Sequence, residues 1–236
     1  MSVLDEMKKR LKESLAQFQD IPDATVVPAN VVPVTVVTPT EKEEPVVEIT
    51  DEMRTHFDDR TNRHIGLVQK YVQKIADADP DNFGELPAAT ETHDQSKFEE
   101  PEYEPYVILT WQYKCKDDGV DFPLPDSIKD SMNKATEHHI KSNSHHPECH
   151  AEKEVDLINR EDRDKPPDEM IDATSMPQMD VAEMVADWCA MSEERGNSPR
   201  EWADKNVNVR WKFTPDQSNT IYSLMDKVWE PVEGGE

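Results

Sequence analysis

The sequence predicts a mostly α-helical domain carried behind an extended N-terminal arm. Three observations predict it. Between residues 50 and 232, apolar side chains return every three or four positions, which is the period of a helix face. Before residue 50, prolines recur too often for either regular element. Strand signals are sparse: "VNVRWKF" (207–213) alternates as a short strand does, and the ambiguous "YVILTWQYKCK" is read as helix from its context.

Residues 1–20 hold an amphipathic helix in which Leu4, Met7, Leu11, Leu15 and Phe18 share one face. It reads either as a helix packed on its own domain or as a segment that docks on a protein partner. Residues 21–49 carry Pro22, Pro28, Pro33, Pro39 and Pro45 among valines and threonines. They read as an extended linker, with an edge strand laid along a partner as the alternative.

The folded domain is expected over 50–232. Thr50 is the expected N-cap of its first helix, with Met53 just inside. His64, Leu67, Val68, Tyr71, Val72 and Ile75 follow at helical spacing, so His64 lies on or beside the buried face. "PDNFGELPAAT" reads as a loop. A second helix is expected to hold "HDQSK" and to break near Pro101 and Pro105. A third, over "DSIKDSMNKATEHHIKSN", is expected to be capped by Asp126, with Ile128, Met132, Ala135 and His139 on one face. Residues 151–175 are charged and read as a surface excursion. "MPQMDVAEMVADWCAMSEERG" is a strong helix, with Val181, Met184, Val185, Trp188 and Met191 as its buried stripe and Gly196 as its C-cap. "SPREWADKN" is a further helical turn. The last helix opens with Thr214 at the N-cap and Pro215 at its first position.

Formal charge is −25, from 51 acidic and 26 basic residues in 236. Such an excess repels phosphates, which argues against binding to a nucleic-acid backbone and favours cationic partners, metal ions included. No apolar run approaches a membrane span. "MSVLDEMKKRLKESL" lacks the apolar core of a signal peptide. The three cysteines, Cys115, Cys149 and Cys189, form no CxxC pair and read as reduced thiols, which places the expected location in the cytoplasm. Six glycines leave no phosphate-cradling loop. The tryptophans, Trp202 among them, read as core.

The histidines are not scattered. His64 is expected on helix one and His93 beside Asp94 on helix two. His138, His139, His145, His146 and His150 crowd one region, and Asp187 falls inside an apolar stripe. Ligands from separate helices can meet in the core of a bundle. Imidazoles mixed with carboxylates suit Mn, Fe, Zn or Ni. Each residue also has a plainer reading. His64 could be a satisfied core histidine, Asp94 a partner for Lys97, and Glu183 a surface carboxylate or an orienting one.

The order His, His-Asp, His, Asp resembles the HD-domain superfamily of metal-dependent phosphohydrolases. The run "HDQSKFEEPEYEPY", "HHIKSNSHHPE", "EMVADWCAMS", "EWADKN" and "TPDQSNTIYSLM" is similar to DUF5662, a family of uncharacterised bacterial and phage proteins, over about residues 56–229. The resemblance implies an HD-like helical bundle with one or two divalent transition-metal ions. It implies that His64, His93, Asp94 and Asp187 hold one ion, and that His139 with His145 or His146 holds a second. It implies hydrolysis of a small phosphorylated substrate, a nucleotide or another phosphate ester. Asp94, Lys97 and His145 are then the catalytic groups. The histidine cluster is tighter than in typical two-metal members, which leaves the number of ions open. The alternative is a non-enzymatic interaction module, tethered by its N-terminal helix, with a structural metal or none.

Overall fold

The first helix sets the frame. The computed structural model describes residues 47–151, 167 and 169–230, all within one compact unit, Glu44–Glu236. The helix expected near the N-terminus and nearly all of the linker lie outside the described residues. In helix α1 (Asp51–Ala78), the Thr50 hydroxyl accepts from the Met53 N–H at 3.3 Å, the capping contact expected for that pair. Its buried residues read Met53, Phe57, Thr61, His64, Val68, Tyr71, Val72 and Ile75. They keep one face by steps of three and four. Two polar residues, Thr61 and His64, interrupt that apolar stripe near its middle.

Two single-turn helices follow, α2 (Pro80–Phe83) and α3 (Leu86–Ala89), where a loop was expected. Proline near the start of each supplies a preset helical φ, and Phe83 and Leu86 anchor the two turns in the core. The next expectation is corrected too. "HDQSK" does not lie on an α-helix: Asp94 is left-handed (φ 60°, ψ 10°), and Gln95–Phe98 form one 3-10 turn. Helix α4 (Tyr103–Asp117) begins only beyond Pro101, with Pro105 tolerated in its first turn. Helix α5 (Asp126–Ser142) is preceded by Pro125 at the N-cap, so Asp126 sits inside the helix rather than capping it.

A 3-10 turn at Pro147–His150 leads to strand β1 (Ile171–Asp172), and residues 152–166 lie outside the described residues. The end of the expected surface excursion is therefore structural. β1 pairs in parallel with β2 (Trp211–Lys212), and Ala173 and Met176 are buried beyond it. Between the strands run α6 (Gln178–Arg195), stopped by Gly196 at φ 66°, and α7 (Pro199–Asn206). Helix α8 (Pro215–Val228) closes the domain with a complete capping box at Thr214 and Gln217. The mostly helical class is borne out.

Apolar burial divides into two clusters along α1. Val68, Tyr71, Val72 and Ile75 pack against α6 and α8. Met53 and Phe57 pack with Val107, Ile108 and Leu109 of α4 and Met132 of α5. Each fully buried branched aliphatic contributes about 1.5–3 kcal/mol. His64 falls between the two clusters in sequence, where α1 meets α6.

Candidate metal centre

Four elements bring polar side chains to the seam between the clusters. α1 brings His64. The turn after α3 brings His93 and Asp94. The end of α5 and the chain behind it bring His139, His145 and His146. α6 brings Glu183 and Asp187, four residues apart on one face, with Glu194 seven further on. His64, His93, Asp94, His139 and His145 are each 6% exposed or less. Burial of that many ionisable groups is costly unless they satisfy one another or a cation.

Asp94 is the hub. The left-handed turn folds its side chain back beside the preceding imidazole, and His93 Nε2 lies 3.6 Å from Asp94 Oδ2. His64 Nε2 is 3.7 Å from the same oxygen. The other oxygen, Oδ1, faces His139 Nε2 at 3.3 Å and His145 Nε2 at 3.8 Å. Two imidazoles thus address each carboxylate oxygen. Asp187 Oδ1 stands 3.0 Å from His64 Nε2, and Lys97 Nζ donates to Asp94 Oδ2 at 2.5 Å.

Behind each of these imidazoles stands a second carboxylate. Glu183 Oε1 meets His93 Nδ1 at 2.7 Å and His145 Nδ1 at 3.3 Å. Glu102 Oε2 meets His139 Nδ1 at 2.9 Å, and Glu194 Oε2 lies 3.6 Å from His64 Nδ1. An ionised carboxylate can only accept, so the Nδ1 atoms of His93, His139 and His145, which face Glu183 and Glu102, carry the proton. That fixes the tautomer in which Nε2 offers a lone pair toward Asp94, the arrangement in which imidazoles ligate metals. A lone pair facing a carboxylate oxygen is repulsive unless a proton or a metal ion lies between them.

The electrostatics follow from this geometry. Burial would raise Asp94, but Lys97 and the imidazoles of His93, His139 and His145 hold it well below the usual carboxylate range. Burial disfavours a charged His64, yet its contact with Asp187 and the nearby Glu194 carboxylate raise it to about 9. Burial also opposes Glu183 ionising, but His145 and His93 bring it down to about 2. His146 goes the other way: burial first, then His145 and His139, keep it neutral. Four buried atoms in the group have no hydrogen-bond partner: His64 Nδ1, His93 Nε2, Asp94 Oδ1 and His146 Nε2. Orphans of this kind in one polar cluster fit a cation-binding role better than a packing role.

Three sets of ligand atoms have mutual distances within 4.8 Å: His64, His93 and Asp94; His139, His145 and His146; and His93, His145 and Glu183. The Glu183 contacts that are resolved run to Nδ1, on the rear of the two rings. Glu183 therefore reads as the group that orients them.

The structure gathers His64, His93, Asp94, Lys97, His139, His145, His146 and Asp187 at one centre. His138 turns aside to Glu102 Oε1 at 2.7 Å. His56 packs edge-on to Trp111, and His150 reaches the Ser144 carbonyl. Cys149 Sγ lies 3.5 Å from the Lys141 carbonyl, while Cys115 and Cys189 are buried. Sequence reasoning missed Glu102 and Glu194. Glu102 is fully buried, bridges two histidines and accepts from Ser96 at 3.1 Å. Its only signal was a carboxylate in the first motif that no basic residue nearby in sequence explains. Trp202, expected in the core, is 42% exposed.

The centre opens onto a cavity of about 560 Å³. Lys97, His139, His146 and Asp187 line part of it, and the C-terminal turn of α6, α7 and the approach to β2 line more. No helix among the described residues is long and apolar enough to cross a membrane.

The family model DUF5662, a family of unknown function, matches residues 53–227. The chain belongs to that family. No curated protein and no solved structure matches it.

Proposed function

We propose that this DUF5662 chain is a metal-dependent hydrolase of the HD type, acting on a phosphate ester. The observation that carries the reading is the four-imidazole ring around Asp94, two to each oxygen, with each rear nitrogen facing a carboxylate. Carboxylates bridged in this way suit a pair of ions as well as one. His64, His93, Asp94 and Asp187 would hold the first divalent transition metal, of the Mn, Fe, Zn or Ni kind. His139, His145 and His146 would hold a second, with Asp94 shared. His145 is assigned as a ligand rather than an acid, because its Nε2 points at Asp94 Oδ1. Bound ions would supply Lewis acidity and lower the pKa of a water toward neutrality.

The chain's own groups do the rest. Lys97 lines the cavity beside Asp94 and can place positive charge on a phosphoryl oxygen, where negative charge grows in the transition state. Glu183 and Glu102 keep the tautomers of His93, His145 and His139 fixed, so none of these imidazoles must reorient during a cycle. The overall chemistry balances simply. A water oxygen bonds to phosphorus, the ester P–O bond breaks, and the departing alkoxide leaves with the proton that water gives up.

The experiment is metal analysis of tag-free protein beside Asp94→Ala, followed by phosphate release from an ester panel with added Mn. One or two metal equivalents in the wild type, lost in the variant, are expected, together with ester turnover. A wild type that stays metal-free after incubation with Mn and Fe under reducing conditions would sink the reading.

A further inference from the structure

The cavity that contains the centre is larger and more aromatic than a bare phosphate requires. Its volume, about 560 Å³, lies within the roughly 300–1,000 Å³ range of pockets that enclose small organic ligands. Its lining includes Trp188, Trp202 and Trp211. Trp188 and Trp211 stack at 5.7 Å with planes 23° apart, and both are buried. Trp202 leans on Trp211 at 6.5 Å and 60°, yet remains 42% exposed. An indole leaning on one buried tryptophan keeps part of its surface open to the cavity. Its backbone is held, because Asn206 Nδ2 donates to the Trp202 carbonyl at 2.8 Å.

The charge of the lining points the same way. The chain carries a net −25, yet Lys97, Arg195 and Arg210 all line this one cavity. Its acidic lining is Asp94, Asp187 and Glu148, and the first two belong to the metal centre. Arg210 lies 5.8 Å from the centroid of the Trp211 ring. Guanidinium groups offer forked donors to ring nitrogens, carbonyls and phosphate oxygens.

We propose that Trp202, with Arg195 and Arg210, forms a subsite for a planar aromatic group carried by the phosphate ester, so that the site takes a nucleoside monophosphate. This deepens the hydrolase reading and rests on it for the position of the phosphate. The base stacks on Trp202, the arginines meet its polar edge, and the phosphate lies toward Lys97. Sugar phosphates and simple alkyl phosphates leave this subsite unfilled.

The test is equilibrium dialysis of the full chain, loaded with Mn, against adenosine monophosphate as its non-hydrolysable methylene phosphonate, adenosine and inorganic phosphate. Trp202→Ala is run beside the wild type, and Trp202 is exposed enough for the variant to fold. Stacking predicts that adenosine monophosphate binds about tenfold or more tighter than inorganic phosphate. Trp202→Ala should erase that advantage, weaken adenosine equally, and leave phosphate binding unchanged. Equal affinity for the nucleotide and phosphate overturns the subsite, as does a Trp202→Ala variant that keeps the difference, or no nucleotide binding at all. The two readings fail separately. Trp202-dependent nucleotide binding without ester turnover removes the hydrolase and keeps the subsite. Turnover of glycerol phosphate as fast as the nucleotide, with no Trp202 effect, removes the subsite and keeps the hydrolase.

Discussion

Helices α1 and α6 build two very different regions with the same three-and-four spacing. In one, Val68, Val72 and Ile75 of α1 meet Val181 and Val185 of α6 with no exposure. In the other, His64 of α1 meets Asp187 and Glu194 of α6. The apolar region is complete in itself, because its side chains need only to exclude water. The polar region is not, because it buries carboxylates and imidazoles yet leaves His93 Nε2, Asp94 Oδ1 and His146 Nε2 without hydrogen bonds. The first region holds the fold. The second offers ligands that could hold a cation, and the fold supports the cost of burying them.

The sharpest way to break that division is to change each region once and read both properties. Asp94→Ala should abolish metal binding and ester turnover while the helical circular dichroism stays. Lys97 then loses its carboxylate, but its side chain is 22% exposed and can turn its charge to the cavity water. Ile75→Ala should do the opposite. It removes a fully buried side chain from the α1–α6–α8 cluster and should lower unfolding stability by about 2–5 kcal/mol in urea. Metal stoichiometry of the folded protein should be unchanged. An Asp94→Ala variant that still holds a full complement of metal, or an Ile75→Ala variant that loses it, would erase the distinction between the regions.

A smaller effect separates ligands from the groups behind them. Glu183→Gln keeps shape and removes charge from the carboxylate that meets His93 Nδ1 at 2.7 Å. Loss of such an orienting partner typically costs 10- to 100-fold in metal affinity, about 1.4–2.7 kcal/mol. The expected variant binds metal at the same stoichiometry but more weakly in a competitive chelator titration. Unchanged affinity would make Glu183 a structural carboxylate, and abolished binding would make it a ligand.

The two regions also differ in how far the sequence revealed them. The apolar stripes of α1 and α6 were legible because each side chain reports its face through spacing alone. So were the caps at Thr50 and Thr214, whose signature lies within four residues. The turn at His93-Asp94 was not, because a left-handed Asp has no local mark comparable to glycine, and the motif read as helix. Short proline-started turns at Pro80 and Leu86 were missed for a related reason, since one turn shows no period. Of the centre, the histidines and Asp187 stood out as residue types that do not belong in a core. Glu102 and Glu194 did not, because in a chain with 51 acidic residues one more carboxylate carries no signal until the fold places it behind an imidazole.

The smallest expected effect is a pH dependence that also distinguishes the regions, since the valines and isoleucines of the apolar cluster do not titrate. His64 is raised to about 9, so without metal it adds stability that is complete below its ordinary value of 6.5 and is lost as pH rises through about 9. Glu183, depressed to about 2, adds stability present above its ordinary 4.5 and lost as pH falls toward about 2. The metal-free centre is thus steadiest in mildly acid solution, where His64 is charged beside Asp187 and Glu183 is ionised. A metal ligand must give up its added proton, so metal binding competes with it and strengthens as pH rises. The difference in melting temperature between Mn-loaded and metal-free protein should therefore widen from about pH 6 to about pH 8.5, by about 2–4 °C for each kcal/mol gained. Calorimetry in buffers of different ionisation enthalpy should find protons released on Mn binding near neutral pH. A melting difference that stays flat across the range, with no proton release, would mean that His64 does not give its Nε2 to the metal. In that case the ring around Asp94 is a charge network that serves the fold, and the two regions differ only in the kind of packing they use.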